Sequence, residues 1–205
     1  GESMRKNFED LVKSYIKISE EIIENELGIT SVENELLVYF DKEELHELLQ
    51  ENNEESVSEQ MKFWKAMGFL DVDKKEKRYA KKVKIKNSWV RKFVVNLKPY
   101  FTFQEIINNN DEETIFKLYL EHETLVKLFP QKAQEKVIVR GDKLYLDNDY
   151  FRGVLSQKEF LSVEEKLRYM KNLGLLETDN DYERFTKTVL VNGKAQKKIM
   201  LKNIW

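Results

Sequence analysis

Between residues 57 and 67 the apolar side chains Val57, Met61, Trp64 and Met67 are spaced four, three and three apart, which lines one side of an α-helix. Past Gly68 the period changes. Residues 78–85 alternate apolar with charged positions, the two-residue period of a half-buried strand. The same change of period returns 106 residues later, where Val163, Leu167, Met170 and Leu173 lead through Gly174 into residues 184–191.

The agreement extends well beyond these stretches. Residues 36–98 align with 142–204 without a gap, and 14 of the 63 positions are identical, among them Tyr39/Tyr145, Asp41/Asp147, Leu49/Leu155, Ser56/Ser162, Gly68/Gly174, Asp73/Asp179, Arg78/Arg184 and Val83/Val189. Apolar positions stay apolar at Met61/Leu167, Phe63/Tyr169, Trp64/Met170, Tyr79/Phe185, Ile85/Val191, Phe93/Ile199 and Val95/Leu201. One buried pattern is used twice, which predicts an internal duplication.

Each copy reads as the same series of elements. A short strand at 37–40 or 144–146 leads to Asp41 or Asp147, a carboxylate suited to capping the helix expected over 42–50 or 148–156. Ser56 and Ser162 each stand three residues before a glutamate, the capping-box spacing, so a second helix starts there and ends at Gly68 or Gly174. Short strands are expected at 69–73 and 175–179, then a polar turn and a hairpin. Val191-Asn192-Gly193-Lys194 is a strong two-residue hairpin turn with 197–202 returning beside it, and Lys86-Asn87-Ser88 is a weaker one. A helix precedes each copy: Phe8, Leu11, Val12, Tyr15, Ile16, Ile22 and Ile23 form one apolar stripe, and Ile115, Phe116, Tyr119 and Leu120 another.

Helix, strand, helix, capped helix and basic hairpin together resemble the winged-helix family. The resemblance implies an α+β fold of two tandem winged-helix domains related by duplication, at 4–98 and 111–205, with 99–110 as a linker around Pro99. Gly1, Glu2 and Ser3, ahead of Met4, are expected to be an expression remnant and stand outside the fold argument.

The whole chain carries 35 basic and 37 acidic residues, a net charge of -2 that predicts no global attraction to polyanions. By segment the picture changes. Residues 1–55 sum to -11 and 56–98 to +9, whereas 99–161 sum to -3 and 162–204 to +3. Positive charge therefore gathers on the second helix and hairpin, the parts that winged-helix proteins lay in the major groove and along the backbone. By that resemblance Ser58, Lys62 and Lys65, and Arg168, Lys171 and Asn172, are the base-reading candidates, with Arg168 suited to guanine and Asn172 to adenine. Lys81, Lys82, Lys84, Lys86, Arg91 and Lys92, with Arg184, Lys187, Lys194, Lys197 and Lys198, are the phosphate candidates. Trp89 is expected to pack back on its own sheet, Trp64 to sit in the core, and His46 and His122 to lie at the surface.

No catalytic residue, metal or cofactor is expected. There is no cysteine, neither histidine has a second ligand at metal spacing, and the glycines form no phosphate loop or dinucleotide fingerprint. No apolar run approaches a membrane span and no signal peptide is recognisable, so a cytoplasmic location without membrane partners is expected. The partner implied is double-stranded DNA, read sequence-specifically by two modules in one chain, as in the replication initiators of plasmids and phages or a transcriptional regulator of a mobile element. The alternative is a scaffold like the tandem winged-helix subunits of SMC-type chromosome-organising complexes, whose protein partners would meet the acidic helices.

Overall fold

The computed structural model describes residues 2–73, 77–132, 135–179 and 184–205. The chain divides into two compact units, Gly1–Phe103 and Gln104–Trp205, and the boundary falls inside a helix. The polar turns expected after Asp73 and Asp179 fall on 74–76 and 180–183, outside the described residues.

The first unit opens with α1 (Glu2–Glu24), whose stripe Val12, Tyr15, Ile18 and Ile22 is buried. A turn at Gly28 leads to β1 (Ile29–Thr30) and β2 (Leu37–Phe40). Gly28 has φ 73°, and a Cβ there would come within 2.7 Å of Val38 Cγ1 and 2.8 Å of the Phe40 ring, so no other residue fits. Next come α2 (Lys42–Asn52) and α3 (Val57–Met67). The Ser56 hydroxyl accepts the Glu59 N–H at 3.2 Å to start α3, and Gly68, at φ 75°, ends it. The chain then forms the hairpin β3 (Lys81–Ile85) and β4 (Ser88–Asn96) and enters α4 (Lys98–Asn109). Tyr15 is the centre of the core, stacked on Phe69 at 3.7 Å and edge-on to Trp64 and Phe103.

The second unit takes the end of α4 and continues with α5 (Glu112–Lys132), the hairpin β5 (Val137–Arg140) and β6 (Lys143–Leu146), then α6 (Asn148–Leu155) and α7 (Val163–Asn172). It closes with β7 (Leu176–Glu177), β8 (Lys187–Val191) and β9 (Lys194–Lys202). Its sheet order is β5-β6-β9-β7 with β8 also on β9, against β1-β2-β4-β3 in the first unit. Among the described residues the fold is α+β, with seven helices and two antiparallel sheets.

Two strand registers repeat at the sequence offset, β2 with β4 as β6 with β9, and β3 with β4 as β8 with β9. Leu37 faces Asn96 and Lys143 faces Lys202, while Lys81 faces Lys92 and Lys187 faces Lys198. Both hairpin turns are two residues at positive φ, Lys86 (49°) and Asn87 (65°) in one, Asn192 (51°) and Gly193 (78°) in the other. That backbone matches the twist of the flanking strands, which is why the weaker Lys86-Asn87 signal still makes a tight turn.

Four expectations need correction. The segment 99–110 is helical, because Phe103 and Ile106 give it a buried side and Pro99, in its first turn, occupies a place where no N–H is needed. Residues 69–73 make one isolated bridge, Leu70 to Val95, instead of a strand, and the counterpart β7 has only two residues. His122 is fully buried. It stands on the inner stripe of α5 with Ile115, Leu118, Tyr119, Leu125, Val126 and Phe129, and its Nδ1 accepts the Trp205 indole N–H at 2.9 Å. Burial pushes its pKa down to about 4, which keeps the ring neutral. His46 is half-buried, its ring stacked on Phe93.

One buried polar position is shared with different chemistry. In α3 the Gln60 amide donates to the carbonyls of Leu49 (3.2 Å) and Glu55 (2.8 Å). In α7 the equivalent Lys166 donates to Leu155 (2.7 Å) and Lys158 (2.6 Å) and pairs with Glu121 at 3.0 Å. The carbonyl at the end of the preceding helix is satisfied either way. Desolvation raises the Glu121 pKa against the opposing pull of Lys166.

Candidate nucleic-acid interface

The pleat of β3 and β4 sorts the hairpin residues onto two faces. Lys81, Val83 and Ile85 share one with Val90 and Lys92, and Val83 is buried there. Both lysines of this face are engaged. Lys81 pairs with Asp71 at 3.1 Å, and Lys92 pairs with Asp41 at the start of α2, holding that carboxyl below the usual range.

The opposite face carries Lys82, Lys84, Trp89 and Arg91, all exposed, with Lys82 across from Arg91 and Lys84 across from Trp89. Trp89 does not pack back on the sheet. It is 61% exposed, and the Lys82 ammonium lies 5.8 Å from its ring centre. Lys86 is exposed at the turn.

The second hairpin keeps Lys81, Val83 and Lys92 of the inner face as Lys187, Val189 and Lys198, and changes every position of the outer one. Lys187, the counterpart of Lys81, pairs with Glu177, the counterpart of Asp71, at 2.8 Å. Lys194 and Lys198 share this face with Val189. Outside stand Thr188, Leu190, Ala195 and Lys197, where the first hairpin has Lys82, Lys84, Trp89 and Arg91. One cation replaces three, and Leu190 is 64% exposed. Arg184 is exposed ahead of β8, and its carbonyl accepts the Lys171 ammonium at 3.3 Å.

The second helices differ in a parallel way. On α3, Ser58 and Lys62 are exposed, while Lys65 is half-buried with its ammonium 5.9 Å from the Tyr79 ring. On α7, Lys171 repeats that contact at 6.0 Å from Phe185, and Asn172 is half-buried in the last turn. Arg168, the counterpart of Lys62, pairs with Glu105 of α4. Partial burial works against its charge, but the Glu105 carboxylate outweighs this and raises the guanidinium pKa. Arg152 similarly pairs with Glu164 at the start of α7.

Two sets of cations stand out. Those identical in the two copies at 65/171 and 81/187 make the same intramolecular contacts twice. Those differing between the copies at 82, 84 and 91 lie outward on the first hairpin. Charge counting alone could not separate the sets, although the two-residue alternation of 81–85 held the signal. It also passed over the carboxylate partners, Asp41, Asp71, Glu105 and Glu177.

Among the described residues no group of three or more His, Cys, Asp or Glu is placed to hold a metal ion, and no helix is long and apolar enough to cross a membrane. Protein-family models give no match to this chain, and a search of curated proteins gives none.

Proposed function

We propose that this chain is a non-enzymatic double-stranded-DNA-binding protein built from two winged helices, and that its backbone contacts come chiefly from the first unit. The order α1, β2, α2, α3, β3, β4, with β2 beside β4, supports the winged-helix reading of that unit. The observation that carries the DNA reading is the outer face of the first hairpin, where Lys82 and Lys84 stand exposed on the side opposite Lys81 and Lys92, with Arg91 across from Lys82. A cluster of this kind, together with the exposed Ser58 and Lys62 of α3, suits a duplex, with the helix at the groove and the hairpin along phosphates. Two modules in one chain suit two half-sites, as a replication initiator or a transcriptional regulator needs.

Fluorescence anisotropy with a random duplex at several salt concentrations tests this. Affinity should fall steeply with salt, by a slope of roughly 0.9 for each phosphate contact. Salt-independent or absent binding would refute it. A second reading, in which the second unit binds protein, is favoured by the exposed Leu190 and Val139 at the positions named above and in β5. Retention of duplex binding after Arg184, Lys194 and Lys197 are all changed to Ala would assign DNA to the first unit alone.

A further inference from the structure

We propose that the outer face of the β3–β4 hairpin seats an unpaired base on Trp89, so that the protein prefers a junction between double-stranded and single-stranded DNA to a continuous duplex. This rests on the DNA reading above and deepens it.

The observations concern one side chain and its setting. Trp89 is 61% exposed two residues past the tight turn, at the projecting end of the hairpin. The core does not use its indole, whereas that of Trp64 is fully buried. The flanking groups are cationic: Lys84 directly across, Lys82 at 5.8 Å from the ring, and Arg91 two residues on. A protein partner would bury the indole together with Lys82 and Lys84 and have to compensate both charges. A nucleotide satisfies both at once, its base against the ring and its phosphates against the lysines and arginine.

Between duplex and single strand, stacking decides. In a continuous duplex both faces of every base are covered by neighbours, and an inserted ring must first unstack a step. Beyond the last base pair a face is open, so the indole stacks without that cost while the cations follow the backbone on both sides of the junction. The second hairpin, with Ala195 in place of Trp89 and one outward cation, lacks this platform.

The test uses the full chain and three probes: a blunt duplex, the same duplex extended by a single-stranded tail, and the tail alone. Wild type should bind the tailed duplex about tenfold more tightly than the blunt one. Trp89→Ala should abolish that difference, so that tailed and blunt duplex bind alike, and Trp89→Phe should retain part of it. Because Trp89 is exposed, both variants should melt as wild type does. Binding to the tailed duplex should also quench the part of the tryptophan emission that Trp89→Phe removes. Equal wild-type affinity for tailed and blunt duplex, or an unchanged preference in Trp89→Ala, overturns the junction inference and leaves duplex binding standing. Failure of wild type to bind any of the probes overturns both.

Discussion

Two lysines next to each other in sequence, Lys81 and Lys82, have different surroundings because a strand sends them to opposite faces. Changing Lys82 and Lys84 together to Ala should reduce the salt slope of duplex binding by roughly 1.8, two contacts' worth, with little effect on melting. Lys81→Ala should do the reverse, leaving the slope unchanged and costing about 0–1 kcal/mol of stability in thermal denaturation, as expected for a partly exposed ion pair. Buried charge behaves differently. Lys166→Ala strips three acceptors of their donor and leaves the Glu121 carboxylate buried alone, which should cost about 3–5 kcal/mol in urea unfolding. Lys166→Gln with Glu121→Gln, imitating the uncharged arrangement at Gln60, should recover much of that loss. His122 adds a pH dependence with a definite sign. Its folded pKa of about 4 lies below the ordinary 6.5, so the unfolded chain binds the extra proton first and stability falls as pH drops from about 6.5 toward 4. The loss should approach the order of 3 kcal/mol. Melting curves of wild type and His122→Phe across that range would show it, since the variant should lack the slope.

At the level of elements, the helices announce their starts and the strands announce their faces. Ser56 and Ser162 were legible as caps because a hydroxyl three residues before a glutamate satisfies donors that only a helix start leaves open. Ser56→Ala and Ser162→Ala should each cost about 1 kcal/mol by chemical denaturation. The stopping glycines were legible for the complementary reason, since Gly68 and Gly174 take φ of 75° and 76°. α4 was not legible, because its proline and asparagines resemble a linker until Phe103 and Ile106 are seen to be buried. Lys166 was hidden for a similar reason: a lysine on an amphipathic helix reads as solvent-facing unless its tertiary partner, 45 residues away in Glu121, is known. The candidate interface was half legible. Charge segregation pointed to the hairpins, but which of their cations meet Asp41, Asp71 and Glu177 depends on partners that local sequence does not identify.

Across the whole molecule, the two units share the registers of their last strands and the hairpin turn at one constant offset, and yet the four outward hairpin positions are Lys, Lys, Trp and Arg in one and Thr, Leu, Ala and Lys in the other. The inner faces share Lys81/Lys187, Val83/Val189 and Lys92/Lys198 on a common register, so the outer face is a separable module that can be transplanted. Writing Thr188→Lys, Leu190→Lys, Ala195→Trp and Lys197→Arg into a chain already carrying Lys82→Ala and Lys84→Ala should restore part of the lost salt slope, measured by anisotropy on a blunt duplex, without lowering the melting temperature. The graft touches no buried position, and Lys187, Val189 and Glu177 would go on holding the recipient strands as before.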